Sequence, residues 1–578
     1  MATTTSAPPT TTHEMSSNKE TSPAENKLAP VVSSTESAKA QIHYVTGVRL
    51  VLLVASVSLI TFLLLLDQSI LATAIPKITS QFHSLPDIGW YSGVYQLAAA
   101  ALQPLSGKIY TYLKLKHVFL FHLFLFELGS LICGVANSSS MLIGGRTLAG
   151  LGSAGLMNGG LNIIVNSTPL EKRPLYTGIM IGIGQMGLVT GPLIGGALTE
   201  HVTWRWCFYI NLPIGAITAA MITLIHIPEP TSKAPYSLSL LRDLVLHKLD
   251  LPGFAIFAPS CIMLLLALQF GGDGSHAWSS ATVIGLFVGA GVLAIIFIAW
   301  EARVGEKAMI PGVLFKNRIM LAAIGQQFGL SVCVFIGALW VPTYFQSVKG
   351  AGPTESGVDT LPQVLSQVLF AVVSGIAVSK LGYYLPWAVF SGAALAVGNG
   401  LMSTLDQYSS KGKWIGVLIV VGAGRGSGMQ MSLIASQAVL PARLISVSLA
   451  LLIFLQNLTA AIFLVVANAI FTQSLIKKLA QYAPSVSPQA AFKAGSSSDA
   501  VRKLVAPDRP WELEGVLDAY SESLRNIWLM MVAFASLAFL FAFGMGWIDV
   551  RKKKGSQSAK EVQDSEQGIT GEREKEEV

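Results

Sequence analysis

The chain has 578 residues, of which 52% are hydrophobic and only 12% are charged. Soluble globular domains carry about 25% charged residues, so this composition excludes an ordinary soluble protein and indicates a polytopic membrane protein. The formal net charge of +7 comes from Lys and Arg residues that lie between apolar runs rather than in one basic face, which argues against a nucleic-acid partner.

Residues 1–46 are rich in Ser, Thr, Pro and Ala, and we expect them to form a disordered cytoplasmic tail because they can bury little apolar surface. Runs of about 20 apolar residues, the length that crosses a bilayer, follow this tail. They predict an all-α membrane protein with fourteen transmembrane helices, grouped as six, two and six. The predicted spans are 47–70, 89–111, 117–136, 141–164, 174–199, 205–227, 250–270, 281–300, 319–346, 358–379, 386–405, 413–438, 446–474 and 526–548.

The spans divide the rest of the chain into four regions. These are an N-terminal six-helix bundle at 47–227, a cytoplasmic linker with two additional membrane helices at 228–318, a C-terminal six-helix bundle at 319–548 that includes a long outer loop at 475–525, and a charged cytoplasmic tail at 549–578. An even number of spans places both termini on one side of the membrane. Lys and Arg are more frequent in the short loops of that side, which predicts that the termini are cytoplasmic.

Asp67, in the segment LDQSILATAIPKI, stands at the end of the first apolar run. About 20 residues at ~1.5 Å each place it near the outer boundary of the membrane, either as an interfacial carboxylate in water or facing a central cavity. Arg146, early in the fourth span, reaches a similar depth, so an interhelical pair is geometrically possible. Charges inside a membrane are costly and commonly functional, and we assign both residues to proton coupling or gating, with a structural clamp as the alternative.

Glu127, in FHLFLFELGSLICG, is the most deeply placed carboxylate of the sequence. Its distance from His117, at the start of the third span, is about 15 Å along a helix axis, close to the middle of a hydrocarbon core about 30 Å thick. A carboxyl group at this depth could take up and release a proton, which makes Glu127 a second candidate for proton coupling. The alternative is a structural Glu that is hydrogen-bonded to a neighbouring helix.

The fifth span contains the segment GQMGLVTGPLIGG, from Gly184 to Gly196. Gly187, Gly191 and Gly195 recur every four residues and form a smooth face against which a neighbouring helix can pack closely. Pro192 removes a backbone donor and favours a bend. Spacing alone permits either an ordinary packed helix or a moving joint. We expect a conformational hinge, about whose glycine face two helical bundles rock.

Polar residues of the second half of the chain provide candidates for the lining of a cavity. Arg425 is its intramembrane charge, in the segment GAGRGSGMQ. Gln430 and Gln437 lie seven residues apart, a spacing that places them on one helical face, and Gln456 and Asn457 belong to the next span. These amides could contact a substrate or hold helices together by hydrogen bonds.

Five motifs in this order resemble those of the fourteen-span drug:proton antiporters of the major facilitator superfamily, especially the fungal branch. The similar segments are LDQSILATAIPKI, GRTLAGLGSAG, GQMGLVTGPLIGG, WRWCFYINLPIG and GAGRGSGMQMSLIASQAVLP, and the resemblance covers about residues 47–548. It implies a major-facilitator fold, with two six-helix bundles flanking a central cavity and two peripheral helices, that works by alternating access.

The resemblance also implies proton-coupled export of a small amphiphilic compound, such as a fungal toxin, a secondary metabolite or a drug. The expected partners are this substrate, protons and the lipid bilayer, and the protein is expected to be a monomer in the plasma membrane, or alternatively in the vacuolar membrane. We expect no cofactor, metal site or enzymatic activity. Two alternatives remain: a proton-coupled importer, for instance of iron chelates, and a non-transporting membrane sensor with the same fold.

Overall fold

A computed structural model of the chain describes residues 44–82, 87–229, 233, 237, 242–244, 248–272, 276–488, 490–491, 498–505 and 511–551. Residues 1–43 of the predicted N-terminal tail and residues 552–578 of the predicted C-terminal tail lie outside the described residues. The connection between the two predicted bundles also lies partly outside the described residues, within 230–247.

The described residues form fourteen helices that are long enough to cross a membrane. Thirteen of them meet criteria of both length and hydropathy, and the remaining one, α2, has 25 residues and is less apolar. The predicted all-helical architecture is confirmed. The helices are α1 (Gly47–Phe82), α2 (Ile88–Tyr112), α3 (Leu115–Gly134), α4 (Ser139–Ser167), α5 (Arg173–His201), α6 (Trp206–Leu224), α7 (Leu251–Gly272), α8 (Ala281–Val304), α9 (Arg318–Tyr344), α10 (Leu361–Leu381), α11 (Leu385–Met402), α12 (Lys411–Val439), α13 (Ala442–Tyr482) and α14 (Glu512–Phe543).

The helices pack in two groups. In the first, α1 packs against α5, and α4 packs against both α2 and α3; we call α1–α6 the N-terminal half. In the second, α14 packs against α9 and α11, and α12 packs against α10; we call α9–α14 the C-terminal half. The halves meet along two seams, α5 with α10 and α2 with α13, and the additional helix α7 contacts both α2 and α13.

Both ends of the described chain lie on one side of the helices. Tyr44 and Arg551 line a common cavity together with Glu171, from the connection between α4 and α5. The backbone N–H of Val45 donates to the carbonyl of Ser167 at 3.1 Å, at the end of α4. We call this side the terminal face and the opposite side the far face.

Near the terminal face, the α2–α13 seam is closed by direct backbone contact. A Cβ atom built on Gly107 would lie 2.8 Å from the Cβ of Ala450 and 3.0 Å from the carbonyl oxygen of Ser446, closer than real side chains approach. The hydroxyl of Ser446 donates to Oδ1 of Asn162 on α4 at 2.5 Å. Only a glycine at position 107 therefore allows the two halves to approach this closely.

The α5–α10 seam is closed in the same region. A Cβ atom on Gly178 of α5 would lie 2.5 Å from the carbonyl oxygen of Ala371, and one on Gly375 of α10 would lie 2.7 Å from the carbonyl oxygen of Pro174. Both glycines lie in the part of α5 and α10 that is near the terminal face. The two halves are thus in tight contact at the terminal face along both seams.

Most of the described residues in the connection predicted as a long outer loop at 475–525 are helical. α13 continues to Tyr482 and α14 begins at Glu512, so both helices extend beyond the apolar runs. The extensions are joined side by side: Lys478 Nζ lies 3.4 Å from a carboxylate oxygen of Glu522, and the amide of Asn526 donates to Ser474 Oγ at 2.8 Å. Hydropathy marks where a helix leaves an apolar environment, whereas polar residues with good helix propensity allow the helix to continue.

Candidate functional site

Asp67 of α1 and Arg146 of α4 form an ion pair inside the N-terminal half. Nη1 of Arg146 lies 2.6 Å from Oδ2 of Asp67, and each residue is only 1% exposed. Nε of Arg146 donates to the carbonyl oxygen of Tyr91 at 3.0 Å, and the guanidinium lies over the ring of Tyr95 at 4.4 Å. The arginine is therefore neutralised, hydrogen-bonded and stacked, as a charge buried among helices requires.

A polar residue on a third helix, Asn211 of α6, completes this network. Its amide nitrogen lies 3.3 Å from Oδ1 of Asp67 and 3.0 Å from the hydroxyl of Ser130 on α3. Asn211 and Ser130 are both buried. The network thus joins α1, α3, α4 and α6, so a change in the charge of Asp67 alters contacts on four helices. Sequence reasoning did not single out Asn211 or Ser130.

Glu127 of α3 lies beside this network without a hydrogen bond to it. Both carboxyl oxygens are buried and have no hydrogen-bond partner among the described residues. The carboxyl group occupies the space that Gly215 of α6 leaves, since a Cβ atom on Gly215 would collide with that group. Gly215 and Asn211 are four residues apart on α6, so Glu127 and the Asp67 network share one helical face. An ionised carboxylate without a partner is costly to bury, and this environment suits a group that binds a proton.

The glycine face of α5 packs against the part of α1 that carries Asp67. A Cβ atom on Gly187 would lie 2.8 Å from the backbone nitrogen of Leu66, one on Gly191 would collide with Ser69 Oγ, and one on Gly195 would lie 2.6 Å from the carbonyl oxygen of Ile70. Ser69 also donates from its hydroxyl to the carbonyl of Gly187 at 3.1 Å. A shift of Asp67 and its helix would therefore move α5 with it.

This arrangement differs from the expected rocking face between two bundles. Gly187, Gly191 and Gly195 contact α1 of the same half, and α5 contacts the other half through Gly178 and Gly182. Four-residue spacing requires a close neighbour, but it does not tell which helix is that neighbour. Pro192 lies on another face of α5, where it lines a cavity at the α5–α10 seam.

That cavity, which we call the Arg425 cavity, has a volume of about 250 Å³ and lies between α5, α9, α10 and α12. α9 begins at the terminal face, where Ile319 packs against Gly546, so Val341 and Gln346 near its other end place the cavity toward the far face. The two halves that touch at the terminal face thus enclose a space nearer the far face. The polar residues that line it are Gln185, Gln346, Ser356, Thr360, Gln363, Gln367 and Arg425.

A second cavity, of about 470 Å³, lies at the other seam between α1, α2, α7 and α13. Its walls are mostly apolar, with polar contributions that include Gln96, Gln269 and Asn468. None of the described residues that line it is charged. The additional helix α7 supplies one wall, through residues such as Leu265 and Leu268. We call it the uncharged cavity.

Gln430 and Gln437, predicted on one helical face, lie in different surroundings. α12 is interrupted at Met429 and Gln430, and the amide of Gln430 donates to the carbonyl of Ala371 at 3.0 Å and to Ser374 at 3.1 Å, both on α10. Gln437 lines the cavity at the terminal face, and its amide atoms are buried without a hydrogen-bond partner among the described residues. Neither side chain lines the Arg425 cavity or the uncharged cavity.

Gln456 and Asn457 lie in the middle of α13. Oε1 of Gln456 accepts a hydrogen bond from the amide of Gln327 on α9 at 3.0 Å, so this pair holds two helices of the C-terminal half together. Asn457 is half-buried, and neither residue lines the two cavities at the seams. Of the five polar residues predicted in this half, Arg425 is the one that borders such a cavity.

Comparison with known proteins gives close matches over most of the chain. A family model described as Major Facilitator Superfamily matches residues 57–464. The chain is 53% identical to the MFS-type transporter calB of Penicillium decumbens, over 92% of this chain and 94% of that protein. It is 47% identical to the MFS-type transporter pigP of Monascus ruber, over 89% of each chain, and 43% identical to the efflux pump mlcE of Penicillium citrinum, over 94% of this chain and 98% of that protein.

Proposed function

The chain belongs to the major facilitator superfamily, and we propose that it exports a small amphiphilic organic compound, such as a toxin, a secondary metabolite or a drug, in exchange for protons. The relative that is named as an efflux pump supports the direction of transport. The observation that carries the proposal is the buried Asp67–Arg146 pair beside Glu127, because proton binding at either of these carboxyl groups changes the balance of charge beside contacts that join α1, α3, α4 and α6.

The proposed mechanism couples protonation of Asp67 to the seam between the halves. A proton on Asp67 removes the charge that neutralises Arg146 and weakens the contacts of α1 with α4 and α6. Because Gly187, Gly191 and Gly195 of α5 lie directly against this part of α1, the shift passes to α5, which forms the α5–α10 seam. Opening of the seam at one face and closing at the other is alternating access.

The proton gradient supplies enough energy for concentrative export. One charge that moves down a potential of 100 mV releases about 2.3 kcal/mol. At about 1.4 kcal/mol per factor of ten, one proton per substrate sustains a substrate gradient of roughly 50-fold.

Replacing Glu127 by Gln is expected to abolish the dependence of export on the proton gradient, because Gln has the same size but cannot bind a proton. The measurement is accumulation of candidate toxins in cells that express the wild type or the variant, with and without a protonophore. We expect the protonophore to raise accumulation only in wild-type cells. Matched amounts of protein in the membrane are the control.

The other outcomes of this experiment are equally informative. If the protonophore does not change accumulation in wild-type cells, export is not coupled to protons. If Glu127→Gln retains full coupling, Glu127 is not required and Asp67 alone binds the coupled proton. Higher accumulation in expressing cells than in cells without the protein would indicate import.

We also propose that the terminal face is cytoplasmic and that the protein is a monomer of the plasma membrane. The excess of Lys and Arg in the loops of this face supports the orientation. The closed terminal face and the Arg425 cavity nearer the far face then correspond to a conformation closed toward the cytoplasm. Epitope tags at either end should bind antibody only after cells are permeabilised, and labelling of intact cells would reverse the orientation.

A further inference from the structure

Arg425 of α12 is a buried cation, and the part of the chain that the structure describes supplies no counter-charge to it. It is 2% exposed, and no Asp or Glu of the described residues lies within 4.0 Å of its guanidinium. Nη2 donates to the carbonyl oxygen of Cys333 on α9 at 2.8 Å, and Nε has no hydrogen-bond partner among the described residues. Arg146, the corresponding intramembrane arginine of the N-terminal half, is by contrast neutralised by Asp67.

The position of this guanidinium is set by a glycine on the neighbouring helix. A Cβ atom on Gly337 of α9 would collide with the end of the Arg425 side chain and would lie 3.0 Å from its Cζ atom. Cys333, which accepts the hydrogen bond from Arg425, is one helical turn away on the same face of α9. α9 thus holds one edge of the guanidinium.

The Arg425 cavity combines polar side chains with apolar walls. Oε1 of Gln363 is buried and has no hydrogen-bond partner among the described residues, and Gln363 is itself 4% exposed. Leu188 of α5 and Val341 of α9 supply apolar walls. A volume of about 250 Å³ accommodates an acidic group and the adjoining carbon atoms rather than a whole drug-sized molecule.

We infer that the Arg425 cavity binds the anionic oxygen group, such as a carboxylate, of an acidic amphiphilic substrate; this inference rests on the proposed export function. An arginine inside a membrane without a partner is expensive, and a bound anion would supply the missing counter-charge. The planar guanidinium matches a carboxylate in shape and offers charge-assisted hydrogen bonds. Because the cavity lies at the α5–α10 seam, binding of the anion joins residues of both halves.

The test compares acids with their methyl esters, which keep the same carbon chain but carry no charge. Proteoliposomes that contain the full chain are given a proton gradient, and export is measured for dansyl-labelled fatty acids of several chain lengths and for their methyl esters. We expect the wild type to prefer the acids. Arg425→Gln should reduce this preference by about 10- to 100-fold, the effect of losing one charge-assisted hydrogen bond, while export of the esters remains.

Two further variants keep the test independent of folding defects in Arg425→Gln. Arg425→Lys retains the charge without the planar fork and should keep part of the preference for acids. Gly337→Ala retains the arginine but displaces its guanidinium, and it should lower the preference as Arg425→Gln does. Export of the esters shows in each case that the variant is folded.

The possible failures can be distinguished. The inference is overturned, and the proposed function stands, if the proton gradient drives export of esters and acids at the same rate in the wild type. The same conclusion follows if Arg425→Gln lowers export of both compounds equally. If neither acids nor esters are moved by the proton gradient, the proposed function fails and the inference with it.

Discussion

Replacing Asp67 by Asn is expected to lower export to the level of cells that lack the protein. Asn keeps a hydrogen-bond acceptor near Asn211, but it cannot be ionised and therefore leaves Arg146 as a buried charge without a partner. Breaking a buried ion pair in this way costs about 3–5 kcal/mol, so the variant should also be less stable to heat. The measurements are toxin accumulation in expressing cells and thermal stability of the purified protein.

A double variant separates the loss of stability from the loss of proton binding. Asp67→Asn combined with Arg146→Gln removes both charges and should recover much of the thermal stability without recovering export. Proton-driven export by the single variant at the wild-type rate would contradict the role of Asp67. Recovery of export in the double variant would show that the pair is a structural clamp.

Replacing Gly191 by Leu is expected to abolish export while insertion into the membrane remains intact. A Cβ atom at this position would collide with Ser69 Oγ and lie 3.0 Å from the backbone nitrogen of Ile70, so α1 and α5 would have to separate. Overpacking of this kind costs about 1–3 kcal/mol, which a large membrane protein can tolerate. The separation would displace Asp67, two residues before Ser69, from Arg146.

Gly196 provides a matched control on the same helix. A Cβ atom on Gly196 has no heavy atom within 4 Å, so Gly196→Leu makes the same change in composition without a collision. We expect Gly196→Leu to export like the wild type at equal amounts in the membrane. Normal export by Gly191→Leu would show that the glycine face serves only in ordinary helix packing. Equal loss of export in both variants would point to the membrane environment of α5.

The sequence indicated that an ion pair was possible, because both of its members carry a charge inside an apolar run. Counting residues along α1 and α4 was sufficient to place Asp67 and Arg146 at one depth, since the rise per residue of a helix is fixed. The other members of the network, Asn211 and Ser130, carry no charge and occur in apolar spans that tolerate such residues. Gly215 makes space for Glu127, and that role depends on the rotation of α3 against α6.

The fold, too, was predicted only in part from the sequence. Hydropathy located the membrane helices, because an apolar run of sufficient length has few alternatives. Hydropathy did not predict that α13 continues to Tyr482 or that α14 already begins at Glu512. Polar residues with good helix propensity extend both helices beyond the apolar runs. The sequence also did not predict which partner the α5 glycines contact, because spacing within one helix contains no information about its neighbour.

The most direct test of the proposed coupling is to record proton movement and substrate movement together. Purified wild-type protein in proteoliposomes with an internal pH-sensitive dye is given a gradient of an exported compound and no initial pH gradient. Antiport predicts that protons move against the direction of the substrate, and that Asp67→Asn moves neither. Substrate movement by the wild type without a change in internal pH would contradict proton-coupled export.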